Sequence, residues 1–144
     1  MNRRLLPVAL LALLAHTFTS ISRADDLKAM EGTWTVVSAE AGGEAVESDD
    51  LKALVVTISG DHYTAKLKEE MEAGTVKLDE TQKLKTMDAT KTEGFEAGQV
   101  IKAVYELKDD TLRVCYAMDG GERPTELATN NSSQWLLIIY QREK

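Results

Sequence analysis

Beyond residue 24 the chain carries one histidine, His62, and one cysteine, Cys115. A zinc site of the usual kind needs three or four Cys, His or carboxylate ligands, and this pair falls short of one. A Cys–His pair can act as nucleophile and base, but nothing in the spacing brings Cys115 to His62. No third group is signalled that would orient the base. His62 lies beside a predicted hairpin and is expected to face solvent. Cys115 lies in an alternating apolar run and is expected to be buried as a small hydrophobe. With no catalytic constellation legible, the chain reads as non-catalytic, with no cofactor and no metal.

The carboxylates divide into two kinds. Asp49-Asp50, Glu69-Glu70 and Asp109-Asp110 are adjacent pairs. Neighbours in a strand point to opposite faces, and in a turn both face water, so these read as solvated turns rather than acid/base pairs. No calcium-loop spacing is present. Asp88 is different. It lies in a weakly patterned strand, with Arg113 and Arg123 as candidate partners. It fits a half-buried ion pair that fixes the sheet register; the alternative is a polar contact inside a ligand cavity. Asp88, Tyr105, Arg113, Tyr116 and Arg123 are therefore the candidate cavity or polar-core residues. Pro124 fixes the backbone after a loop, so Arg123–Glu126 reads as a structural turn.

These side chains need a framework, and composition bounds it. Arg3 and Arg4 precede an apolar run from Leu5 to Ala15, and Ser22 and Ala24 suit a signal-peptidase site. The apolar run is shorter than the about 20 residues that span a bilayer. Residues 1–24 are thus expected to be a cleaved signal peptide, and residues 25–144 a single exported domain, periplasmic or secreted, with no membrane insertion after cleavage. Losing Arg3, Arg4 and Arg23 with the leader leaves 14 basic against 24 acidic residues, a net charge of −10. That charge opposes nucleic acid and anionic lipid. With a single cysteine no internal disulfide forms, and packing must hold the fold.

Period-two patterning dominates the chain from residue 32 onward. A short helical lead-in is expected over Asp26–Met30, and one helical turn within Glu47–Ala53 with Ser48 as its cap. Gly32–Ala41 reads as a strand with Trp34, Val36 and Ser38 on one face. Leu54–Ser59 and Tyr63–Leu67 flank a tight Gly60-Asp61 turn. Thr75–Leu78 and Leu84–Thr90 are weaker strands. In Gln99–Leu107, Ile101, Ala103, Tyr105 and Leu107 share a face; after Asp109-Asp110, Leu112, Val114, Tyr116 and Met118 align. Trp135–Arg142 is apolar on both faces, as suits a strand buried on both sides or pairing near a seam. The expected fold is all-β: a small antiparallel up-and-down barrel of about eight strands with a short N-terminal helical turn.

Three stretches carry a family likeness: Leu27–Glu40, Lys77–Asp88, and Tyr105–Tyr116 continuing to Glu122–Glu126. In these the chain resembles a family of small exported domains best known from planctomycete bacteria, described as lipocalin-like and without an assigned function. Two departures are Ala103-Val104-Tyr105, where Gly-Ile-Tyr is commoner, and Leu84, where Pro is common. The chain also resembles lipocalins at large. Gly32-Thr33-Trp34 matches their first-strand Gly-x-Trp, and Arg142 their last-strand Arg. The resemblance implies that Gly32, Trp34 and Arg142 close the barrel, the guanidinium lying on the indole face. It implies a small apolar ligand in the barrel, with Val36, Met87, Tyr105 and Tyr116 facing inward. The alternative is a solid-packed barrel serving as a structural or protein-interaction module.

Overall fold

The computed structural model describes residues 25–144, and the expected leader, 1–24, lies outside the described residues. After a short helix α1 (Asp25–Ala29) the chain runs through β1 (Gly32–Ala41), β2 (Glu44–Ala45) and helix α2 (Asp49–Lys52). It continues through β3 (Val55–Ser59), β4 (His62–Leu67), β5 (Glu70–Asp79) and β6 (Thr86–Glu93). The last strands are β7 (Val100–Lys108), β8 (Thr111–Ala117) and β9 (Trp135–Arg142). From β3 to β9 each strand pairs antiparallel with the next, β3 pairs with β1, and β1 pairs with β9. The result is a closed eight-strand up-and-down barrel, on whose rim β2 forms a two-residue hairpin with β1. Closure removes the unpaired edges that an open sheet would expose.

Local chemistry sets the connections. Ser48 caps α2, its Oγ accepting from the Leu51 amide at 3.4 Å. Gly60 adopts φ 60°, the left-handed conformation a tight hairpin requires. The expected strands Thr75–Leu78 and Leu84–Thr90 belong to β5 and β6, and β5 extends well beyond Thr75 toward its N-terminal side.

One facing differs from the sequence reading. Trp34 and Val36 point inward, but Ser38 is exposed and Ala39 is buried. A bulge lies between Val36 and Ser38: Val36 faces Tyr140 and Ser38 faces Ile139, with Val37 inserted. One extra residue reverses the alternation beyond it.

Two apolar clusters form. The inner one contains Trp34, Ile58, Tyr63, Val76, Met87, Tyr105, Val114, Ile138 and Tyr140. The outer one joins Val104, Cys115 and Leu137 with Leu84, Leu127 and Trp135. Leu127 comes from the long β8–β9 connection, which is laid over the outside of the wall. β9 is therefore apolar on both faces, and it also forms the seam with β1.

Candidate functional site

The β1–β9 seam and helix α1 build a floor at one end of the barrel. Trp34 is 0 % exposed, and its Nε1 donates to Met30 O at 2.8 Å. The Arg142 guanidinium lies over the indole, 4.4 Å from the ring centroid. Its Nη2 donates to Ala29 O at 2.5 Å, its Nη1 donates to Glu31 O, and its Nε donates to Asp110 Oδ1 at 3.0 Å. One side chain thus ties α1, β1, the β7–β8 turn and β9 together. Gly32 has φ 134°, and a Cβ there would stand 3.2 Å from Arg142 Nη1. The backbone angle favours glycine, and any Cβ would also crowd the guanidinium.

A polar group completes the floor. Asp26 Oδ2 accepts from Tyr105 Oη at 2.7 Å and from Lys85 Nζ at 2.9 Å. Burial opposes the Asp26 charge, but these donors prevail and hold its pKa below the usual range. Glu80 is pushed up by burial and by the neighbouring Asp26 carboxylate. Its Oε2 is buried with no hydrogen-bond partner among the described residues. Tyr105 is buried and faces inward, but it belongs to this floor.

Above the floor the barrel encloses a cavity of about 830 Å³, open at the opposite end. Val56, Ile58, Val76, Met87, Ala89, Leu112 and Ile138 give it an apolar wall. Small inward residues make the room: Ala65 and Ala89 line the wall, and Gly74 contributes no side chain. A Cβ on Gly74 would fall 2.1 Å from Thr90 O and 2.6 Å from Tyr63 Cε1.

A few polar groups converge inside. Tyr116 and Tyr140 share a hydroxyl–hydroxyl bond of 2.8 Å. Lys91 Nζ pairs with Glu72 Oε2 at 3.3 Å, and the two side chains are 13 % and 32 % exposed. Burial, then the Glu72 charge, pushes Tyr63 up to about 12. Burial also raises Tyr116 to about 12 and Tyr140 well above the ordinary value. All three are neutral hydroxyls over the ordinary pH range. The cavity therefore offers apolar surface, neutral donors and acceptors, and one internal ion pair. The mouth carries Glu70, Met71, Phe95 and Met118.

The structure separates the expected site residues. Met87 and Tyr116 line the cavity, and Val36 packs in the inner cluster. Asp88 does not enter the cavity: Met87 and Ala89 on either side of it point inward, so it faces out. There it meets Arg123 Nη2 at 2.5 Å, while Arg123 Nη1 donates to Ala103 O at 2.8 Å and Met87 O at 3.1 Å. Arg123 is thus a clamp holding the β8–β9 connection against β6 and β7. Arg113, between inward Leu112 and Val114, also faces out, donating to Leu127 O at 3.3 Å and lying 3.6 Å from Glu106. Strand alternation decides both outcomes.

His62 is exposed, its Nδ1 2.8 Å from Asp61 Oδ1. Cys115 is fully buried on the outer face. Burial, aided by the Glu126 and Glu40 charges, pushes its thiol up to about 11. The two form no pair. Among the described residues no group of His, Cys, Asp and Glu could hold a metal ion, and no helix is long and apolar enough to cross a membrane.

No family model, curated protein or solved structure matches the chain. A small closed β-barrel of this kind is consistent with a lipocalin-like fold.

Sequence reasoning missed Tyr63, Glu72, Lys91, Phe95 and Tyr140 as site residues and read Glu70 as part of a solvated turn. The β4–β5 stretch carried the available signal. Continuing the alternation from Val76 back through Gly74 places Glu72 and Glu70 on the inward face.

Proposed function

We propose that the protein is a lipocalin-like, exported, non-catalytic binding domain that takes one small, largely apolar molecule into its barrel. The observation that carries this is the cavity of about 830 Å³, walled by apolar side chains and open at a single end. Ligand sites are typically clefts of about 300–1,000 Å³, mostly apolar, with a few placed polar groups. The tyrosine hydroxyls and the Glu72–Lys91 pair supply those groups. A barrel filled by its own side chains, serving only as a structural or interaction module, would leave no such volume. The leader-like segment supports the exported, periplasmic or secreted, location.

The test uses a neutral fluorescent apolar probe, N-phenyl-1-naphthylamine, titrated into the folded protein. One probe per barrel is expected, with binding lost in Ala89→Trp, whose indole occupies the cavity. Circular dichroism of that variant establishes that the barrel is intact. A folded parent protein that leaves the probe dark at every concentration sinks the proposal.

A further inference from the structure

The charges at the cavity mouth assign a head group to the ligand, an assignment that rests on the binding reading above. Glu70, Glu72 and Lys91 are the charged residues lining the cavity. Glu72 and Lys91 neutralise one another at 3.3 Å, which leaves the Glu70 carboxylate in excess. The loops around the opening add Glu69, Glu96, Asp119 and Glu122, and none of these, nor Glu70, makes an ion pair among the described residues. Two nearby cations are already engaged: Lys68 with Asp50 at 2.6 Å and Lys52 with Glu47 at 3.5 Å. Phe95 stands at the opening, 83 % exposed. An aromatic face beside carboxylates favours a cation and disfavours an anion.

We propose that the cavity selects a cationic amphiphile, a single apolar chain inside the barrel with an ammonium head at the mouth between Glu70 and Phe95. Met71 and Met118, 61 % and 41 % exposed, flank the chain where it leaves the barrel. Carboxylate-headed amphiphiles meet the same apolar wall but place their charge against Glu70 and the acidic loops. Lys91, the cation that lines the cavity among the described residues, is held by Glu72.

The test compares three probes with one chain and different heads: dodecyltrimethylammonium, dodecanol and dodecanoate, all below micelle-forming concentrations. Each displaces N-phenyl-1-naphthylamine from the full barrel, and calorimetry gives the stoichiometry. The expected result is one ammonium probe per barrel, competed off by dodecanol. It should bind about tenfold tighter than dodecanoate at low salt, the advantage shrinking as salt rises. Two variants move the preference in opposite directions. Lys91→Met exposes the Glu72 charge and increases the ammonium advantage; Glu72→Gln frees Lys91 and reverses the order in favour of dodecanoate. Circular dichroism and a cooperative thermal melt establish that each variant is folded.

Dodecanoate binding as tightly as the ammonium probe, while dodecanol binds one per barrel, overturns the head-group assignment and leaves the cavity reading standing. The same holds if the ammonium probe binds many per chain and dodecanol does not displace it, which is adsorption to an acidic surface. If dodecanol and the neutral probe both fail to bind, the two proposals fall together.

Discussion

Arg142 shows how one side chain can serve several elements. Its planar fork reaches the Ala29 and Glu31 carbonyls and the Asp110 carboxylate, and its flat face covers Trp34. Arg142→Ala should destabilise the fold by about 2–3 kcal/mol, from the lost stacking and the released carbonyls. Arg142→Lys should recover only part, because an ammonium has no fork to share among three acceptors. Urea denaturation followed by circular dichroism measures both. A lysine variant as stable as the parent would mean that charge alone matters there. Glu80, on the same floor, has the opposite character. Its raised pKa means that the folded state holds the proton more tightly than the unfolded chain, so its contribution is favourable at low pH. That contribution is lost as pH rises through the folded value, above the ordinary 4.5. Glu80→Gln cannot ionise, so it places no like charge beside Asp26 at any pH. Its melting temperature should exceed the parent's at neutral pH, and the gap should close as the pH falls to roughly 4. Asp26 has the reverse sign: its stabilisation is present above the unfolded carboxylate range and is lost as pH falls through its lowered value.

Strands carry the next level, and here glycines and bulges decide what the alternation alone cannot. Gly74 sits in β5 beside a register shift between Ala73 and Gly74, against Tyr63 and the Thr90 carbonyl. Backbone cannot yield the way a flexible side chain does, so Gly74→Ala should cost about 3 kcal/mol or more. Gly60→Ala, in open space but at φ 60°, should cost only about 1–2 kcal/mol. Chemical denaturation of the two side by side checks the contrast, and equal costs would refute it. The same features mark where sequence reading stops. Strand alternation made β7 and β8 legible, their faces repeating from Ile101 to Leu107 and from Leu112 to Tyr116, whereas β9 showed itself as a run apolar on both faces. It failed at Ser38 because an inserted Val37 leaves no compositional trace. It also under-read β5, where Glu70, Glu72 and Gly74 look like a loop although they point inward. Sequence offered Asp88 both Arg113 and Arg123 as partners, and both an ion pair and a cavity contact; the structure pairs it with Arg123, half-buried on the outer face. Pairing depends on register, whereas facing depends on parity with Met87 and Ala89.

For the molecule as a whole, the question is whether the features that bind are the features that hold the barrel together. The floor is tightly packed: Met30, Trp34 and Tyr105 are at most 1 % exposed. The upper half keeps an ion pair where a solid core would place apolar groups. A pair with side chains 13 % and 32 % exposed gains little net stability, because desolvation and screening offset the attraction. Glu72→Met with Lys91→Met replaces it by apolar groups of similar length. The double variant should match or exceed the parent's stability, within about 1–2 kcal/mol, whereas Lys91→Met alone leaves a partly buried carboxylate and should fall below the parent. The double variant should still bind dodecanol and should keep its preference for the ammonium head, because Glu70 and the acidic loops around the mouth remain. Differential scanning calorimetry with the displacement assay measures both quantities. If the double variant lost the fold, the pair would be structural, and selectivity would be a by-product of stability. If it gained stability while losing head-group preference, the upper barrel holds a charge pair at the expense of stability for the sake of what it binds.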